Sequence, residues 1–176
     1  MSFLLGLPPD ASLAEQRARL RDYRRYLETQ QKRMPVRAWE FAAADWHYNP
    51  DDHRCPHDAW VNRLDVLEIA EGERHQNRAL EIRVELLGAY HDGRIRLVYP
   101  GVTRYSLYHP WDPRSRGAAV GHGDWLVDEI SRSENGRPDK CLVLHEVEFS
   151  NGSVWTIEAD DIHYDWLPDA PPSSAG

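Results

Sequence analysis

Imidazole beside carboxylate recurs along this chain: His57-Asp58, His91-Asp92, His122-Gly123-Asp124 and His145-Glu146. Neutral imidazole and ionised carboxylate are good ligands for zinc, iron or manganese, so His57, Asp58, His91, Asp92, His122 and Asp124 are the candidate metal ligands. The same pairing can form a general base, an imidazole whose tautomer a carboxylate fixes. Geometry argues against both uses. Adjacent residues of a strand point to opposite faces, so a His-Asp dipeptide within a strand cannot offer both groups to one ion. In turns the pair has local reasons to occur, because aspartate accepts from neighbouring backbone N–H groups. Asp92-Gly93 reads as a tight turn in which glycine supplies positive φ. Gly121 and Gly123 flank His122 and let the chain turn before a strand at Trp125; the functional alternative is a loop that presents His122 to a ligand.

No nucleophile motif accompanies these residues. There is no Gly-x-Ser-x-Gly, no phosphate-cradling glycine loop and no Cys-x-x-Cys. Cys55 stands near His53 and His57, which could lower its pKa. No catalytic residue is assigned and no cofactor is expected. Two cysteines, Cys55 and Cys141, make no disulfide framework, and reduced thiols in a cytoplasm are the expectation.

The terminal stretch Cys141 to Leu167 points toward binding. Two β-rich runs flank Asn151-Gly152, a strong hairpin signal. In the second run Trp155, Ile157 and Ala159 alternate with Thr156, Glu158 and Asp160, which predicts one apolar and one acidic face. Glu146, Glu148, Glu158, Asp160, Asp161 and the aromatic anchor Trp166 are the candidate partner-binding residues. Such a surface suits a basic protein partner, whose approach it would steer.

The elements that must position these groups are legible in outline. Ser12-Leu-Ala-Glu15 is a capping box and opens a helix to about Met34. Its apolar residues Leu13, Leu20, Tyr23, Leu27 and Met34 form a narrow stripe that packs on the body or on a second copy, giving a homodimer through this helix. Pro35 begins a second helix to about Asp45, with Val36, Trp39 and Ala43 on its apolar face, the alternative being a short strand, since Trp and Phe are β-prone. From Ala59 the period changes to two. Leu64 and Val66 mark one strand, Leu80 to Leu86 a second, Ile95 to Tyr99 a third, Tyr105 to Tyr108 a fourth and Trp125 to Ser131 a fifth. Pro110 to Gly123 and Ser133 to Asp139 read as surface loops. The expected fold is α+β: N-terminal helices packed on a predominantly antiparallel, curved or partly closed β-sheet of six to eight strands. By segment, residues 1–34 hold the N-terminal helix, 35–167 the β domain with its short leading helix, and 168–176 a flexible tail.

Composition narrows the partner classes. The formal net charge is −8 over 176 residues. Residues 1–34 hold seven basic and four acidic side chains, and the remainder carries about −11. That balance disfavours nucleic acid, and no nucleic-acid partner is expected. No apolar run approaches a bilayer span and no signal peptide opens the chain, so no membrane partner is expected.

The motifs His57-Asp-Ala-Trp60, Leu86-Leu-Gly-Ala-Tyr-His-Asp-Gly93 and Gly121-His-Gly-Asp-Trp-Leu126, with His145-Glu-Val-Glu-Phe149 and Trp155-Thr-Ile-Glu158, occur in this order. The string resembles that of a group of small bacterial proteins without an assigned activity, over roughly residues 36–167. More loosely, His57-Asp-Ala59 followed by a β-meander is similar to immunity proteins of bacterial toxin systems. That resemblance implies a small acidic cytoplasmic protein that neutralises a cognate toxin domain by binding it. The expected function is therefore a non-enzymatic protein-binding module. The alternative is a metal-dependent enzyme or small-ligand binder using the His-Asp pairs.

Overall fold

Period-two burial is cleanest where a strand lies between two others. Ile82, Val84 and Leu86, then Ile95, Leu97 and Tyr99, are all buried while their neighbours face out. The computed structural model describes residues 2–8, 10–110, 121–136 and 140–169. Two helices, α1 (Leu13–Gln30) and α2 (Val36–Ala43), precede eight strands: β1 (Trp60–Glu71), β2 (Asn77–Leu87), β3 (Gly93–Tyr99), β4 (Arg104–Tyr108), β5 (Trp125–Arg132), β6 (Val143–Phe149), β7 (Val154–Ala159) and β8 (His163–Pro168). The fold is α+β. Every strand pair is antiparallel, and there are two four-stranded sheets rather than one: β1-β2-β3-β8 and β4-β7-β6-β5. Neither closes into a barrel, and their buried sides share one core with α1 and α2.

The terminal run divides where the sequence reading kept it whole. β6 and β7 form the Asn151-Gly152 hairpin, with Gly152 at φ 83°, but at Asp160–Ile162 the chain leaves that sheet and β8 pairs with β3. β1 begins beside β5, through the bridge Trp60–Asp124 and the hydrogen bonds between Ala59 and Trp125 and between Asp58 and Trp125. The loop readings at 111–120 and 137–139, and the tail from 170, lie outside the described residues.

Helix α1 starts as its cap requires, with Ser12 Oγ accepting from Glu15 N at 3.2 Å, and ends at Gln30, four residues before the expected Met34. Its stripe is consumed within the chain: Tyr23 and Leu27 are buried, and Leu20 packs against the core. Of the stripe only Leu13 stays exposed. Tyr23 covers the outer edge of β5: its hydroxyl donates to Ile130 O at 2.8 Å and accepts from Ile130 N at 2.9 Å. In α2 the inward face is Ala38, Phe41 and Ala42, with Val36 66% exposed, so the expected face is rotated. Phe41 dictates this by stacking on Tyr164 and His47. Pro35 sits at the N-cap and has no side chain to cap with. Asp161, from the β7–β8 connector, substitutes by accepting from Ala38 N at 2.8 Å.

Candidate functional site

Three of the His-Asp motifs meet at one end of the molecule, around Trp60, where β1 leaves β5. Trp60 donates from Nε1 to Asp124 Oδ1 at 2.7 Å and packs edge-on against His91, with ring centroids 4.8 Å apart. Asp92 does not pair with its neighbour His91 but accepts from His53 Nδ1. His53 stacks on Tyr90 at 4.1 Å, and Tyr90 donates to Pro50 O at 3.0 Å. His57 donates to Leu126 O at 2.7 Å, with its other nitrogen 3.7 Å from Asp58 Oδ1. The chain Asp124–Trp60–His91–Asp92–His53–Tyr90 is thus continuous over the surface, with His57 and Asp58 beside it.

The backbone is constrained there. Asp58 and His91 both adopt positive φ, 63° and 56°. Side chains other than glycine rarely do so, and such positions cluster where a surface is held for use. The turn before β3 differs from the sequence reading on this point. His91, not Gly93, supplies the left-handed residue. Gly93 is needed because a Cβ there would lie 2.4 Å from the ring of Trp166. Trp60 and Tyr90 are 48% and 49% exposed, with Leu126 also exposed close by. The site is aromatic and apolar at its centre, carboxylate-rich at its edge, and pinned by hydrogen bonds.

Among the described residues no three His, Cys, Asp or Glu side chains are grouped to hold an ion. His122 does not join the Trp60 surface. It packs against His109, Phe149 and Trp155, with centroids 5.2, 5.6 and 4.9 Å away. Burial and the neighbouring His109 both push its pKa down.

Sequence reasoning missed the most organised polar group, which lies in the core. Asp128 accepts from His47 Nε2 at 2.9 Å, from Trp125 Nε1 at 3.0 Å and from His145 Nε2 at 2.9 Å. His47 also donates from Nδ1 to Phe41 O at 2.8 Å, so both its nitrogens act as donors, the arrangement of an imidazolium. His145 accepts at Nδ1 from the Tyr99 hydroxyl at 2.8 Å, which joins the two sheets. Burial alone would raise the Asp128 carboxyl; the facing His47 charge and the hydrogen bonds from both imidazoles overcome it and hold the group ionised. His145 therefore pairs with Asp128 rather than with Glu146. His47 went unread because its acceptor lies on a strand far along the chain. The one available signal was Asp128 itself, a carboxylate at an apolar position of a strand, which demands a partner.

A cleft of about 520 Å³ between α1 and β5 has His47 and Asp128 at its floor, with Arg17, Leu20, Pro56 and Leu126 among its walls. The His47 and Asp128 side chains of that floor are hydrogen-bonded to each other at 2.9 Å. Cys55 is not activated by its flanking histidines: burial pushes its thiol up to about 11, and Sγ donates to His47 O at 2.9 Å.

The six acidic and aromatic residues of the terminal stretch do not make one open surface. Glu146, Glu148 and Glu158 share the outer face of β6–β7 by register, with Glu129 of β5 beside them. That face is partly covered. Glu158, expected to be exposed, is only 3% exposed: Ser133 and Thr103 donate to it at 2.6 Å and Asn135 at 2.8 Å. Glu129 accepts from Phe3 N at 2.8 Å and Leu4 N at 2.9 Å, and Glu148 from Gly6 N at 3.1 Å. Asp160 pairs with Lys140 at 2.7 Å, Asp161 caps α2, and Trp166 packs over Gly88 and Gly93 on the other sheet. Comparison with known proteins found no family model, no curated protein and no solved structure that matches this chain.

Proposed function

We propose that this chain is a non-enzymatic protein-binding module whose contact surface is the Trp60–Tyr90 end, and that its partner is basic, as a toxin domain neutralised by an immunity protein would be. The carrying observation is that Trp60 and Tyr90 are half exposed yet immobilised by hydrogen bonds and ring contacts, among the carboxylates Asp58, Asp92 and Asp124. Rigid aromatics with a charged surround are the usual energetic centre of an interface, because little side-chain entropy is lost on docking. The net charge of −8 supports a cationic partner, whose association it would accelerate. The alternative, a metal-dependent enzyme, has no grouped donor set among the described residues on which to rest.

The test is affinity capture from the native host, with wild type beside Trp60→Ala/Tyr90→Ala and Asp58→Lys/Asp92→Lys chains. A stoichiometric basic partner is expected on wild type, with affinity reduced about 30-fold or more by the aromatic pair. Relief of that partner's toxicity on co-expression would support the immunity role. Capture of nothing, or of one partner equally by all three chains, would overturn the reading.

A further inference from the structure

Strand β1 is twelve residues long and is an edge strand of its sheet. After Trp60, its outer side has no backbone partner among the described residues. β2 pairs with β3 only from Ile82 to Leu87, and beyond that Leu80 O accepts from Val102 N, so the ends of β1 and β2 past Leu80 stand beyond the sheet as a two-stranded ribbon. A lone two-stranded ribbon is marginal in water. The edge strand also carries Val66, 39% exposed, with Leu67 and Ile69 half-buried. A long unpaired edge with apolar side chains is a template for another strand.

The side chains of β1 select which strand. For two copies joined edge to edge about a two-fold axis normal to the sheet, one residue must lie opposite itself. Centring on Asp65 or on Glu68 sets like charges against each other. Centring on Val66 makes no opposite-charge pair, and centring on Leu64 sets Arg63 against Asp65 but needs the outer side of Trp60, which Asp124 already bridges. Centring on Leu67 puts Arg63 opposite the second copy's Glu71, and the symmetry makes that pair twice. Opposite charges directly across an antiparallel pair are favourable and like charges are not. The same register sets Leu64 against Ala70, Leu67 against itself, Asp65 against Ile69 and Val66 against Glu68, and places β2-β1-β1-β2 in one continuous sheet, which gives the ribbon further strands.

We propose that the chain forms a two-fold dimer through the free edge of β1, in the register that centres on Leu67. This surface begins next to Trp60 on the same strand, so it adjoins the aromatic end, but the proposal does not rest on that end binding a partner.

The test is light scattering during size exclusion, over a dilution series of the full chain to about 100 μM, a range that detects micromolar self-association. Wild type is expected at twice the chain mass at high concentration. Arg63→Glu alone and Glu71→Arg alone should each weaken the dimer tenfold or more, and the double variant should restore it. Both side chains are exposed, and far-UV circular dichroism checks that each variant is folded. Independently, Leu67→Cys in a Cys141→Ser background should oxidise to a covalent dimer, and Arg63→Cys in that background should not. A chain that is monomeric throughout, a dimer indifferent to the single reversals, or reversals that the double variant fails to rescue would overturn the proposal.

Discussion

Asp128 is a carboxylate with three buried donors directed at it. Asp128→Ala would strand His47, His145 and Trp125 with unpaired N–H groups. We predict a loss of about 3–5 kcal/mol in urea unfolding, the range for breaking a buried ion pair from one side. Its acid dependence has a definite sign. The folded carboxyl lies below its unfolded value of about 3.9, so its stabilisation is complete above that value and declines as pH falls beneath it. The variant should therefore show a shallower acid limb. Glu146 behaves oppositely. Burial, then the cross-strand Glu129, raises its pKa, so its contribution favours folding when protonated and is lost as pH rises through its folded value. Glu146→Gln should add about 0.5 kcal/mol at pH 7, the scale of one like-charge cross-strand pair, and the gain should vanish in acid. At this scale the sequence was least legible. The His-Asp dipeptides drew attention because they are adjacent, yet Asp92 pairs with His53 and Asp128 with His47, contacts that only the folded topology creates.

The elements were more legible, because they depend on local pattern. The Ser12 cap, the alternation of β2 and β3, and the Asn151-Gly152 hairpin all lie where the sequence places them. The failures were those that need a neighbour. Period alone could not rotate α2 so that Phe41 meets Tyr164, and could not show that Asp160–Ile162 carries the chain from one sheet to the other. The same dependence governs α1. Tyr23 satisfies both backbone groups of Ile130 with one hydroxyl, deep in the core. Tyr23→Phe keeps the ring contacts and deletes only that oxygen. We predict a loss of about 2 kcal/mol, measured by thermal or urea unfolding, because a buried N–H and C=O are left without a partner.

For the whole molecule, the chain exchanges sheets twice, after β3 and after β7, so the second sheet is one contiguous stretch of sequence inserted into the first. The α+β class and the strand count were readable; the division into two sheets was not, since pairing across long separations leaves no periodic trace. The Tyr99–His145 bond and the single core bind the sheets together. We predict one cooperative unfolding transition, with tryptophan fluorescence and far-UV circular dichroism giving the same midpoint. Two separated midpoints would show that the sheets melt independently.

That β8 is the last strand in sequence but the neighbour of β3 has a consequence for biosynthesis. The entire second sheet is translated between the two. While the ribosome adds it, the Arg94–Val98 edge of β3 remains open, because the strand that covers it in the finished protein has not yet been made. For that interval the nascent chain carries an unshielded edge next to Ile95 and Leu97, which makes it a natural client for a chaperone until His163–Pro168 emerges.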